Sequence, residues 1–297
     1  MPANPPSDRP SATGAVMTLP AVEQPAPDSG PAVTLTEPPF IGLEGGPSLV
    51  FQPAVDLTRG RLLGFEALLR WFDPGGGPIP PHVLIPWAEE RGVMTALNAW
   101  VLGEACAQSA QWPSDLQVAV NCSIFQLRRG EVAEAAAQAL AMSGINPDRL
   151  TVEVTDTSGD AAIAADLEAM ARLGIQLTLD DVTSGHDIDR RLSRDVINTM
   201  KIDGTLVAAL GRAGDDSARV VDAIVAVCRP LGICTVAEAV ETSDQAAMLR
   251  DLGVEVAQGY LFSPPLSARD ATWMGSLNPR AIFTMGLEHD PSGGTPP

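Results

Sequence analysis

Eight short apolar runs, each about the length of a strand, recur between residues 48 and 262. They read SLVFQPAVD, RLLGFEALLRW, LQVAVNCS, RLTVEVTD, IQLTLDD, VINTMKID, ICTVAEAV and VAQGYLF. Between most of them lie amphipathic, Ala/Leu-rich stretches: TALNAWVLGEACAQSAQW, VAEAAAQALAMSG, AAIAADLEAMARLG, ARVVDAIVAVCRPLG and DQAAMLRDLG. Several of these end in Gly, a helix stop. Eight strands with helical returns predict an α/β fold, a (β/α)8 barrel. A doubly wound sheet is the runner-up, but no GxGxxG follows the first run.

The flanks differ in kind. Ten of the 26 prolines fall within residues 1–40, among Ala, Ser, Thr, Glu and Asp with little periodicity. Residues 1–45 therefore read as a disordered, Pro-rich leader, 46–276 as the barrel domain, and 277–297 as a disordered tail. No internal repeat is found.

The chain has 19 basic and 37 acidic residues, a formal charge of −18. Such an excess of acid argues against DNA or RNA polymers as partners, because those need Lys and Arg to neutralise phosphates. It does not argue against one phosphorylated ligand held through metals. No run approaches the ~18 apolar residues of a membrane span. The first residues carry no secretory signal, so a cytoplasmic location is expected. Cys106, Cys122, Cys228 and Cys234 are far apart without a CxxC, and read as free thiols. His82, His186 and His289 form no zinc-binding pair.

Most of the apolar runs contain or end in a polar residue: Glu66, Asn121, Glu153, Asp180 with Asp181, Lys201, Glu238 and Gln258. In a barrel the strand ends converge on the face that carries the active site. Carboxylates crowded there repel one another, and burying them unpaired is costly. One lysine cannot balance five acids, and oxygen-only donors suit hard divalent cations such as Mg²⁺, Mn²⁺ or Ca²⁺. Neighbouring residues of a regular strand face opposite ways, so Asp180 and Asp181 can share a site only where the strand ends or bends. Such a pair could bridge two ions about 3.5–4 Å apart, the two-metal arrangement of phosphate-ester hydrolysis. Lys201 is the only lysine beside 18 arginines. A lone Lys inside an apolar strand points to work for a compact ammonium that a planar guanidinium cannot do, such as holding a water or neutralising developing charge. Arg70 could grip a phosphate with two parallel hydrogen bonds. Tyr260, the only tyrosine, reads as core or pocket wall.

In chain order, FQPAVDL, FEALLRW, VNCS, VEVTDT, LDD, MKID, AEAVET and QGYLFSPPL resemble the blocks of the EAL domain family over about residues 48–268. The resemblance implies a modified TIM-like barrel with one antiparallel strand. It also implies a phosphodiesterase that linearises cyclic di-GMP to pGpG with Mg²⁺ or Mn²⁺, two ions, with Ca²⁺ inhibitory. By this resemblance Glu66, Asn121, Glu153 and Asp180 hold one ion, and Asp180 and Asp181 the other. Lys201 contacts the attacking water, with Glu238 a further acid beside it. Gln52, Arg70 and Gln258 contact substrate, and Asp156 braces the loop after the paired aspartates, where the family carries Glu. A homodimer and a separate sensory partner are further expectations, since no cyclase motif is found and the leader is too short for a folded sensor.

The loop after Asp181 departs from the family. DDVTSGHDID stands where DDFGTGYSSL is usual, with Val182, Thr183, His186 and Asp187 replacing family residues, and Ala239 stands where the family has Gly. Two readings follow. One is an active metal-dependent hydrolase. The other is a weak or silent domain that acts as a cyclic di-GMP receptor or a protein-interaction module.

Overall fold

The computed structural model describes residues 46–72, 77–155, 160–184, 196–212 and 214–277. The leader and nearly all of the tail named above lie outside them. Strand β1, Pro47–Asp56, alternates buried and half-buried positions along most of its length, the two-residue period of a strand with one face in a core. It ends at Asp56, whose carboxylate accepts the N–H groups of Thr58 and Arg59, each at 2.9 Å. The chain turns back there into β2, Arg61–Phe72, which pairs antiparallel with β1. A two-residue strand, β3 (Pro78–Ile79), adds to β2.

Strands β4 (Gln117–Asn121), β5 (Leu150–Val154), β6 (Gln176–Val182), β7 (Thr199–Ile202), β8 (Cys234–Ala237) and β9 (Val256–Gln258) then follow in parallel, each beside its predecessor. β4 lies parallel to β2. β9 meets β1 antiparallel and closes eight strands into a barrel, with β1 alone reversed. The eight apolar runs are these eight strands.

The five amphipathic stretches form the helices Met94–Ser109, Val132–Ser143, Ala161–Leu173, Ser217–Leu231 and Ser243–Asp251. Local chemistry sets their ends. Asp160 accepts the N–H of Ala162, and Thr242 with Gln245 makes a reciprocal capping box. Helices Pro81–Glu90, Ile124–Arg129, Gly204–Ala209 and Ala268–Ser276 are not among those five. The first carries Pro86 inside it, which reads as a break. Ile124–Arg129 and Gly204–Ala209 are six residues each, too short to show a helical period.

The hydrophobic core lies between the outer face of the strands and the helices. Phe51 and Phe65 both pack on Trp112, with ring centroids 5.5 and 4.7 Å apart. Burying each such side chain contributes about 1.5–3 kcal/mol. With the outer faces so occupied, the inner faces of seven parallel strands carry the polar residues to one end. The four cysteines are free thiols. Among the described residues, no helix is long and apolar enough to cross a membrane.

Candidate active site

Strand period places the site. Glu66 lies in β2, Asn121 ends β4, Glu153 precedes the last residue of β5, Asp180 lies in β6, Lys201 in β7, and Gln258 ends β9. Glu238 follows β8 directly. The inward faces bring all of them together around Lys201, which is 2 % exposed. Its Nζ lies 2.6 Å from Glu238 Oε1, 2.8 Å from Glu153 Oε2, 3.3 Å from Glu66 Oε2 and 3.5 Å from Asp180 Oδ1.

Glu66 is the most fully satisfied of the acids. Asn121 Nδ2 donates to its Oε1 at 2.6 Å, and Gln258 Nε2 donates to its Oε2 at 2.6 Å. Gln258 also reaches Glu238 Oε1 at 3.3 Å. Gln52 sits directly opposite Glu66 in the β1–β2 register and so shares its face. Arg70 is four residues further along β2, half-buried, and its Nη1 donates to the Leu69 carbonyl at 2.9 Å. The structure thus holds Arg70 near the strand's end rather than against the carboxylates. Asp156 and residues 185–187 of the divergent loop lie outside the described residues.

The paired aspartates show how one strand presents two neighbours. Asp181 adopts φ 55°, and the β6–β7 register shifts between Leu179 and Val182. The strand bends there, and the Asp181 N–H donates to Asp180 Oδ1 at 2.9 Å. One carboxylate oxygen each from Asp180, Asp181 and Glu238 lies within 4.8 Å of the others. An all-oxygen set of this spacing could hold a hard divalent cation. Family resemblance places Glu238 beside the water; the geometry also gives it to this cation-spaced group.

The charge balance favours a cation too. Burial raises the Glu153 carboxyl well above the usual range, and Lys201 only partly opposes it while Glu66 and Asp180 add to it. Asp180 is raised by burial in the same way. Glu66 goes the other way: burial pushes it up, but Lys201 and the hydrogen bonds from Gln258 and Asn121 outweigh that and hold it low. Burial, resisted by Lys201 and reinforced by Asp180, pushes Glu238 up to about 7. Burial opposes the Lys201 charge, yet the four carboxylates together hold its ammonium well above its usual range.

A pH dependence follows. A carboxyl whose folded-state pKa exceeds its unfolded value favours the fold most below the unfolded value of 4.5, and that contribution is lost as pH rises through about 7. In chelator, the thermal midpoint is expected to fall between pH 5 and 7.5. Glu238→Gln should flatten that fall and raise the midpoint at pH 8 by a few degrees, about 1 kcal/mol. Calorimetry across pH checks it; a variant that melts below the parent at pH 8 would refute it.

Ala239, where the family carries Gly, takes φ 51° directly after Glu238. This kink separates the Glu238 N–H, which donates to the Ile202 carbonyl, from the Val240 N–H, which donates to Gln258. A methyl at positive φ costs about 1 kcal/mol. Ala239→Gly is therefore expected to raise the thermal midpoint by about 2 °C, with a lower midpoint showing that methyl packing outweighs the strain.

The EAL domain family model matches residues 44–265. The oxygen sensor protein DosP of Escherichia coli is 35% identical over 242 residues, covering 79% of this chain and 30% of DosP. The bifunctional diguanylate cyclase/cyclic di-GMP phosphodiesterase MucR of Pseudomonas aeruginosa is 35% identical over 228 residues, covering 74% of this chain and 33% of MucR. The chain thus spans about a third of the length of these curated relatives. Among solved structures, the MucR phosphodiesterase in complex with c-di-GMP superposes with a TM-score of 0.67 at 34% identity, covering 75% of this chain and 93% of that one. Klebsiella pneumoniae BlrP1, solved with calcium and cyclic di-GMP, gives 0.63 at 27% identity, covering 80% of this chain and 58% of that one.

Proposed function

Because this chain belongs to the EAL domain family, we propose that it hydrolyses cyclic di-GMP to linear pGpG with Mg²⁺ or Mn²⁺. The observation that carries the reading is Lys201, buried within 3.5 Å of four carboxylates at the C-terminal ends of the barrel strands. A silent binding module has no use for an ammonium kept charged by such a set. Asp180, Asp181 and Glu238 would hold a cation, with Glu66, Asn121 and Glu153 as further oxygen donors beside them. Bound there, divalent ions supply Lewis-acid polarisation of the phosphodiester and a water of lowered pKa.

The chain's own groups do the rest. Lys201 orients the attacking water and offsets charge that develops on the phosphoryl oxygens. Glu238 Oε1 sits 2.6 Å from that ammonium and holds it in place beside the water. Asn121 and Gln258 fix both oxygens of Glu66, so that carboxylate does not reorganise during the step. Gln52, Gln258 and Arg70 contact the dinucleotide, Arg70 through a phosphate.

Purified protein incubated with cyclic di-GMP and Mn²⁺, followed by chromatography, is expected to yield pGpG. EDTA and Ca²⁺ should suppress the product, and Glu66→Ala should lower it by at least about a hundredfold. Binding of cyclic di-GMP without turnover would overturn the enzymatic reading and make the domain a receptor. Neither product nor binding would leave a protein-interaction module.

A further inference from the structure

The inner positions of the barrel below the site are unusually small. A regular (β/α)8 barrel fills its interior with layers of bulky branched residues. Here the residues two positions below the site residues, on the same strand faces, are Gly64 under Glu66, Ala119 under Asn121 and Thr151 under Glu153. Thr178 lies under Asp180 and Thr199 under Lys201, and the largest members of the layer are the valines of β8 and β9. All of them line a cavity of about 430 Å³. Glu66, Glu153, Lys201 and Gln258 form its upper end. At its lower end Gln117 and Asn198 are exposed and Gln176 is half-buried.

The lining itself indicates the contents. Thr178 is 1 % exposed and Thr151 8 %. Both line the cavity, and neither hydroxyl oxygen is among the buried side-chain atoms sealed off without a partner, as Thr235 Oγ1 is. A hydroxyl facing an accessible cavity takes water as its partner, and polar cavities of this size hold water while apolar ones stay empty. At ~30 Å³ each, about a dozen waters would fit.

We propose that the barrel interior is a hydrated shaft, open at the face opposite the site's mouth, that carries water to the undersides of Glu153 and Lys201. Each hydrolytic turnover consumes a water, and a dinucleotide seated on the mouth blocks entry from that side. This supply role rests on the hydrolytic reading above; the shaft does not.

Substituted-cysteine labelling tests the shaft without ligand, metal or turnover. On a Cys234→Ser background, which removes a native thiol from the lining, Thr178→Cys places a thiol midway down. Mass spectrometry should show modification by methyl methanethiosulfonate, small and neutral, and none by a maleimide carried on polyethylene glycol. Adding Gln176→Trp, two residues below Thr178 on the same face of β6 and at the lower end, should slow labelling at least about tenfold. Absence of labelling by the small reagent, or labelling unaffected by the plug, would overturn the proposal. Should the plugged variant fail to fold, a crystal structure of the unmodified protein decides. Ordered waters leading from Asn198 to Lys201 are expected, and a dry interior closed by side chains would refute the shaft.

Discussion

Replacing Lys201 with methionine is expected to lower cyclic di-GMP turnover about a thousandfold or more and to destabilise the fold together with it. Methionine keeps much of the length and volume, so the change isolates the charge. What it leaves is Glu66, Glu153, Asp180 and Glu238 around an apolar tip. Removing one partner of a buried ion pair strands the other and costs about 3–5 kcal/mol. For a barrel of this size that lowers the thermal midpoint by roughly 10 °C in chelator. Adding Mn²⁺ should recover more of that loss in the variant than it adds to the parent, because a cation then replaces the missing charge. Lys201→Arg should not restore turnover, since a wide, flat guanidinium cannot occupy the centre of four carboxylates as a compact ammonium does. Calorimetry with and without Mn²⁺, set beside product formation, checks all three. A methionine variant that turns over within threefold of the parent would remove Lys201 from the chemistry.

The site was legible because each of its residues interrupts an apolar run, and a strand's two-residue period leaves such a residue either inside the barrel or in the helix interface. Asp180 and Asp181 were legible with a condition, a bend, and the bend is the positive φ of Asp181. Family resemblance implied one reversed strand without saying which, yet the chain carries its own signal for β1. Only four residues, Leu57–Gly60, separate β1 from β2, whereas a parallel neighbour needs a crossover of a dozen or more. The helix Pro81–Glu90 was hidden because proline discourages a helix locally and tertiary packing overrides it. Family resemblance put Glu238 beside Lys201, but its place within 4.8 Å of the paired aspartates was not legible, since it comes with a kink at Ala239, a residue type that ordinarily avoids positive φ. The small inner layer was in plain view, two residues before each site residue, and carries no motif of its own.

Gly64→Ala is expected to be among the most damaging single-methyl additions to this fold. Gly64 faces the inside of the barrel two residues before Glu66, paired with Gln117 of β4. A Cβ there would overlap the Gln117 carbonyl oxygen, and would lie 2.8 Å from the Gln117 carbonyl carbon and 2.9 Å from its nitrogen. These are backbone atoms in a hydrogen-bonded ladder and cannot rotate away as a side-chain tip could. Relief therefore requires β2 and β4 to part. The β2–β4 pairing is one of the eight seams of the closed barrel, so parting them opens it. Overpacking a tight interior costs about 1–3 kcal/mol where side chains can shift, and more where only backbone can move. We expect a loss of at least about 3 kcal/mol, a midpoint lowered by roughly 10 °C. Because Glu66 lies one pleat further along the same strand, its carboxylate should also leave Asn121 and Gln258, so turnover should fall even at temperatures where the variant stays folded. Ala119→Gly, which removes a methyl from the neighbouring inner position, is the control and should change stability by about 1 kcal/mol or less, a midpoint shift of about 3 °C at most. Equal midpoints for Gly64→Ala and the parent would mean that the two strands have slack the structure does not show.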